Sequence, residues 1–513
     1  MSQLEVLRLA SCGAIGAPLL ATAILGLLLF TGQRRSERLV SGIAQGALLA
    51  SFAASLVCVL IALGPEWTPR RMPLVEWFRV GDMAYELALL SDRLTLVMMP
   101  LVSGLTLLAT HFSRDYLHRD PGFLRFHFLV GLFATGMLWV VASASLEQLF
   151  VGWELVGVSS ALLVGYFQER RAPSQAGARV FTTYRLCDLG ILLAVPALHH
   201  AVGSAEFVLS GEGASVHRLS AVGGVTGLAI ALALLLGAIG KSAQLPAGGW
   251  LPRAMEGPTP SSALFYGGVS VHAGVFLLLR AGTLLEASPL ARLLVGLCGL
   301  TTAVYAGLAA RVQSDAKGTL AFATMAQVGV MFVEIAAGLE TLALVHLVSH
   351  AVLRIYQLFR APSALSDARA IEAALANVGP QSAPLASPAR HRGAPRYLYR
   401  IALDRTFLDT VQNNWLLQPV FSAARWFEAW ERRWLGRIEG AAAPLVFRGD
   451  QEGEGSALAR PASGREALQP LGADSVRAEV LRTEVLRAEP LSTEALSAES
   501  LPVESLRVPG SHR

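Results

Sequence analysis

The sequence predicts an all-α, polytopic membrane protein of about eleven transmembrane helices, and three observations predict it. Of its 513 residues, 53% are hydrophobic and only 16% charged, whereas soluble domains carry close to a quarter charged residues. Apolar windows of about 20 residues, the length that crosses a bilayer core, recur from the N-terminus to Arg360. Arginine and lysine collect in alternate loops between those windows, as they do in cytoplasmic loops. The net charge of +4 gives no reason to expect nucleic-acid binding.

Taken in order, the spans fall near 7–31, 39–63, 92–111, 126–144, 147–167, 177–199, 222–241, 259–283, 289–311, 318–338 and 340–360. The first apolar stretch lacks a basic leader and is long enough to span, so it reads as a helix and not as a removed signal. Residues 64–91 read as a polar loop with aromatics that has room for a short hairpin. One series of loops holds Arg34, Arg35, Arg38, Arg114, Arg119, Arg125, Arg170, Arg171, Arg179, Lys241, Arg253, Arg311 and Lys317. The other holds Arg70, Arg71, Arg79 and Arg218. Thirteen against four places the first series in the cytoplasm, the N-terminus outside and the C-terminal region inside. Cys12, Cys58, Cys187 and Cys298 stand singly in apolar segments without CxxC spacing. They read as small core residues and not as disulfide, zinc or iron–sulfur ligands.

The expected organisation is 1–91 for N-terminal helices and an external loop, then 92–360 for the transmembrane domain that carries the ionisable residues. Residues 361–396, rich in Ala, Pro and Ser, read as a linker. Residues 397–439 mix Trp and Phe with Arg and suit an amphipathic segment on the membrane face or against a partner. In the remainder, 440–513, the sequence repeats in fives from Arg477 (RAEVL, RTEVL, RAEPL). A period of five lines up no helix or strand face, so this tail reads as disordered.

Ionisable groups within spans are the candidate site, because each costs about 2.5–3.5 kcal/mol at the bilayer centre unless it has a partner, water or a task. They are Glu154, Arg185, Asp188, Lys241, Glu334, His346, His350 and Arg354. His346, His350 and Arg354 repeat every four residues and share one helix face. Arg185 and Asp188, three apart, can pair on their own helix. Plainer readings exist: Lys241 snorkelling from a helix end, Glu154 as an interfacial carboxylate beside Trp153, and a structural Arg185–Asp188 pair. His272 reads as a satisfied core histidine, Lys317 as a charge at a helix start, and Glu334 as unpartnered. The segment GKSAQLPAGGWLPRAMEGPTPSSA (240–263) breaks its span beside Lys241. Gly240 weakens the helix before the lysine, and Pro246 and Pro252 remove backbone donors after it. Irregular backbone at membrane depth is tolerated only where protein or water covers it, and broken helices beside charges build ion sites. The break therefore predicts a buried, hydrated proton site.

At these residues the chain resembles the antiporter-like membrane subunits of respiratory complex I, especially subunit L, and their Mrp antiporter relatives. The resemblance runs from about Ser91 to Pro362 on SDRLTL, FVGWELVGVSSALLVGYF, YRLCDLGILLA, GKSAQLPAGGWLPRAMEGPTPSSALF, SDAKGTLAFATMAQVGVMF and HLVSHAVLR. It implies an antiporter-like fold in which Glu154 pairs with Lys241 and the pair gates proton movement. Arg185, Asp188, His346 and His350 take the places of the family's other translocation residues. It also implies the cell inner membrane and other membrane subunits as partners. Three departures stand out. Arg354 occupies a position where the family usually has lysine, and arginine stays protonated, so it cannot relay a proton. Tyr266 replaces a common histidine. Of the family's two inverted five-helix repeats, the second stops after about three spans, at Arg360, and the lateral helix has no counterpart.

The expectation is a proton-translocating subunit of a complex I-like assembly. The chain has no flavin, haem, quinone or NADH motif, no GxGxxG after a strand, no expected cofactor or metal, and no catalytic residue. Any redox chemistry would belong to the assembly. Truncated relatives also serve as the membrane partner of a zinc-containing protein in inorganic carbon uptake, which is the alternative alongside cation/proton antiport. A non-conducting scaffold is the third reading.

Overall fold

Ser2, Ser36, Asp92, Ser145 and Asp315 each stand just before a helix and accept a hydrogen bond from a first-turn amide. Polar caps thus start five of the spans, satisfying donors that the helix itself leaves free. The computed structural model describes residues 2–32, 36–65, 67–80, 83–207, 222–313, 315–361, 414 and 418–438. Helices α1 (Gln3–Phe30) and α2 (Glu37–Ala62) lead into a two-stranded antiparallel hairpin, β1 (Arg70–Val80) and β2 (Met83–Ser91). The largely helical fold holds, and the hairpin for which the 64–91 segment has room is present, its strands paired from Arg70↔Ser91 to Val80↔Met83.

Next come α3 (Arg93–Tyr116), α4 (Phe123–Ala142), α5 (Leu146–Val164), α6 (Arg171–Val202) and α7 (Gly224–Lys241). After a helical turn at Trp250–Arg253 follow α8 (Thr259–Arg280), α9 (Pro289–Ala310), α10 (Ala316–Ala336) and α11 (Glu340–Arg360). These eleven helices are long and apolar enough to cross a membrane. Their ends differ from the apolar windows by a few residues because backbone bonding carries a helix past the lipid boundary until a cap stops it. Thus α6 runs on through His199 and His200 to Gly203, whose φ of 75° suits glycine.

Small residues let the helices approach closely, the usual device where lipid supplies no hydrophobic drive. A Cβ at Gly299 of α9 would sit 2.4 Å from the Gly329 carbonyl of α10, and one at Gly329 2.6 Å from the Gly299 carbonyl. Between α6 and α7, a Cβ at Gly190 would lie 2.1 Å from the Ala233 carbonyl. Helix α8 is buried along nearly its whole length and is not regular. It passes from an α turn (Thr259–Ser262) through a π turn (Ala263–Gly268) and a 3-10 turn (Ser270–His272) before resuming as α-helix at Ala273–Arg280.

A twelfth helix, α12 (Gln418–Ile438), presents Trp426, Trp430 and Trp434 at four-residue spacing, all exposed. The chain from Gly436 onward is a separate unit, of which only the end of α12 is described. The linker reading beyond Ala361, the 397–417 part of the amphipathic segment apart from Asn414, and the 440–513 tail lie outside the described residues.

Candidate functional site

Helix α5 contributes Trp153, Glu154 and Gly157; α6 contributes Tyr184, Arg185 and Asp188; α7 ends on Lys241. The lysine side chain is fully buried, with Nζ 3.8 Å from Asp188 Oδ2. Its ammonium also lies 4.1 Å from the Tyr184 ring centroid and 5.4 Å from that of Trp153, an arrangement that favours a cation where water is scarce. Asp188 accepts hydrogen bonds from Trp153 Nε1 at 2.5 Å and from Arg185 at 3.2 Å. Arg185 forms a second ion pair with Glu154. The four charges alternate in sign, Glu154, Arg185, Asp188, Lys241, and sum to zero. This ordering corrects the direct Glu154–Lys241 pair implied by the resemblance: the acidic partner of Lys241 is Asp188, and Arg185 bridges the two carboxylates. Gly157 explains the placement. A Cβ there would come within 2.6 Å of Lys241 Nζ and 2.8 Å of Arg185, so its bare backbone makes the room both side chains occupy.

Two helix-break assignments also need correction. Helix α7 continues through Gly240, whose lack of a side chain serves contact, since a Cβ would lie 2.3 Å from that of Cys187. Its carbonyl accepts a hydrogen bond from Trp250 Nε1 at 3.0 Å. Pro252 sits inside the short helical turn, where a missing donor costs little. Pro246 lies in the non-helical stretch after Lys241. Lys241 is buried and so leaves the loop-charge tally, which becomes twelve against four.

The second cluster lies where α8 meets α11. His272 Nδ1 is 3.0 Å from the Gly268 carbonyl and therefore donates; its Nε2 is 2.9 Å from His350 Nδ1. Arg354 Nε donates to His350 Nε2 at 3.1 Å. These partners fix both tautomers, since an arginine can only donate and a carbonyl can only accept. A directional chain results, Arg354 to His350 to His272 to backbone. His272, read from the sequence as an ordinary core residue, is thus a full member of the site. The signal that would have found it is Gly267–Gly268 before it, the mark of an irregular turn. Arg354 bonds His350 and, at 2.8 Å, Gln357; among the described residues it has no carboxylate partner.

His346 shares the face but turns to a different set. Its Nδ1 is 2.9 Å from Glu334 and its Nε2 3.1 Å from the Gln327 side-chain oxygen. Both ring nitrogens of His346 thus lie within hydrogen-bonding distance of side-chain oxygens of α10. Glu334 is therefore partnered, through a contact between α10 and α11 that twelve residues of sequence separation conceal. Lys317 donates to Thr259 at 3.0 Å. Lys241 Nζ, Gln244 Oε1, Ser262 Oγ and Tyr266 Oη are buried without a hydrogen-bonding protein partner, the kind of polar groups that hold internal water. Among the described residues, no group of three or more His, Cys, Asp or Glu is arranged to hold a metal ion.

Eleven spanning helices, one of them the irregular and almost wholly buried α8, with two buried clusters of ionisable groups from α5 to α11, define a multi-pass membrane protein. Residues 143–379 match the family described as NADH:quinone oxidoreductase/Mrp antiporter, transmembrane, and residues 77–127 match the NADH-ubiquinone oxidoreductase (complex I) chain 5 N-terminus. The chain belongs to this antiporter-like membrane-subunit family of complex I and Mrp antiporters. It is 36% identical over 344 residues to NAD(P)H-quinone oxidoreductase chain 5 of Picosynechococcus sp., covering 65% of this chain and 51% of that one. Against the chloroplastic subunit 5 of Zygnema circumcarinatum it is 37% identical over 342 residues, covering 65% and 48%. The chain thus spans about half the length of these relatives. Among solved structures, a chain of the Mrp complex from Dietzia sp. DQ12-45-1b superposes with a TM-score of 0.57 at 28% identity, covering 69% of this chain and 37% of that one. A chain of an archaeal membrane-bound sulfane sulfur reductase has the same fold, with a TM-score of 0.57 at 17% identity and 69% coverage of each chain.

Proposed function

We propose that this chain translocates protons as a membrane subunit of a complex I-like, quinone-reductase assembly. One observation carries the reading: Lys241, fully buried at the end of a broken helix, faces Asp188 across 3.8 Å within a neutral quartet. A lysine held by one carboxylate and two aromatic faces can exchange its proton when Asp188 or Arg185 shifts, because little else holds the charge. Protons then pass from Lys241 along the polar lining to His272 and His350. Twelve against four loop charges support an orientation with the N-terminus outside and residues after α11 inside, in the cell inner membrane. The likeness to the Mrp complex chain supports a second reading, the membrane subunit of a cation/proton antiporter.

The test is proton flux in the purified, reconstituted assembly. Lys241→Ala should abolish flux while the complex still assembles; wild-type flux would leave a non-conducting scaffold as the better account. Sodium dependence of the flux separates the antiporter reading. Co-purified partners identify the assembly, quinone-reductase subunits in the first reading and other antiporter subunits in the second.

A further inference from the structure

We propose that Glu147 and His199 form a proton port on the hairpin side of the protein, leading along the α5–α6 seam to Glu154. The proposal rests on the conduction reading above and adds the route by which the quartet meets water.

Glu147 in the first turn of α5 forms an ion pair with His199 in the last turn of α6. Helical spacing places this pair in line with the quartet. Glu147, Val151 and Glu154 fall at i, i+4 and i+7, on one face of α5. Asp188 and His199 are eleven apart, close to three whole turns, and so share a face of α6. The Glu147–His199 and Glu154–Arg185 pairs thus both join α5 to α6, with about 10 Å of axial rise between the two glutamates on α5 and about 21 Å between His199 and Arg185 on α6.

A cavity of about 520 Å³ opens over the Glu147–His199 pair. Trp77 and Tyr85 of the hairpin wall it, Glu147, His199 and Glu206 line it, and Val151 lines its α5 side. Val151 lies one turn from Glu154, so the cavity reaches to within about 5 Å of axial rise of the quartet. The mouth is held in shape by Arg71, which pairs with Glu86 at 3.0 Å and Glu206 at 2.7 Å and ties the hairpin to the end of α6. Glu147 Oε2 and His199 Nδ1 are shielded from solvent yet have no hydrogen-bonding protein partner. Each member of the pair therefore keeps one proton-binding position that no structural bond occupies. A pair that served only to staple α5 to α6 would have no need of a cavity that opens over it and extends along α5 to Val151. Histidine and glutamate are also among the side chains that most often exchange protons in working sites.

The test uses the assembled complex in proteoliposomes, with Cys12, Cys58, Cys187 and Cys298 replaced by serine. Val151→Cys is treated with a membrane-impermeant methanethiosulfonate from either side. Modification from the hairpin side only, with loss of flux on modification, is expected. Glu147→Gln should lower flux about tenfold or more, and Glu147→Asp should restore part of it. Lys241→Ala is run in parallel. Should Lys241→Ala conduct normally, the conduction reading itself fails. Should it block flux while Val151→Cys stays unmodified, or while Glu147→Gln conducts at the parent rate, the port alone is overturned. Where Glu147→Gln assembles poorly, the Val151→Cys modification decides.

Discussion

The quartet on α5–α7 and the histidine chain on α8 and α11 solve the same problem in opposite ways. Both put ionisable groups at membrane depth, where an uncompensated charge is expensive. The quartet compensates charge with charge: two acids and two bases alternate, and Lys241 is held by a single carboxylate. The histidine chain compensates with tautomers: His350 and His272 are bonded as neutral rings between an arginine that only donates and a carbonyl that only accepts. Under the proposed conduction, the first arrangement would store a movable proton, and the second would pass one only when a bond at either end opens. Arg354 would then polarise the chain instead of relaying a proton.

The largest effect that this contrast predicts is at Asp188. Asp188→Asn leaves Lys241 buried without its acid, and breaking such a pair costs about 3–5 kcal/mol. Flux should be lost and thermal stability of the complex should fall. Glu154→Gln should keep the Arg185–Asp188 bond and stay near parental stability while losing flux. Equal stability loss in the two variants, measured by thermal unfolding, would break the ordering of the quartet. Next is Arg354. Since no described carboxylate depends on it, Arg354→Ala should assemble normally and reduce flux about tenfold by freeing the His350 tautomer. Arg354→Lys should recover part of that, because a lysine can donate to the same nitrogen. Unchanged flux in the alanine variant would show that the histidines do not work as a directed chain.

Smaller effects test the edges of each cluster. Glu334→Gln removes the anion beside His346, and a several-fold fall in flux at unchanged assembly is expected; His346→Gln should then add little to it, since coupled residues are not additive. Gly157→Ala pushes only the ends of two flexible side chains, so its stability cost should stay near about 1 kcal/mol. Its flux should fall measurably because Lys241 and Arg185 must shift. A Gly157→Ala complex indistinguishable from the parent in flux would mean that the position of Lys241 is not tightly set.

Much of this was legible in the residues. Apolar windows of bilayer length gave eleven spans because hydrocarbon forces helix formation over a fixed distance. The positions of Glu154, Lys241, His346, His350 and Arg354 stood out because charge in such windows is rare. Residues 240–263 advertised a break through proline and glycine, although Gly240 turned out to serve helix contact and Pro252 to sit inside a short helical turn.

Pairing was another matter. Local sequence carries spacing along one helix, and so it correctly offered Arg185 with Asp188, three residues apart. Distances between helices depend on which faces meet and how closely glycines let them approach. Only the tertiary structure decided that Lys241 faces Asp188 and that Arg185 stands between the acids. It also joined His272 on α8 to His350 on α11 across 78 residues and gave Glu334 a partner in His346. In a membrane interior each of these polar groups must find a partner, but the sequence states only the need, and packing chooses the partner.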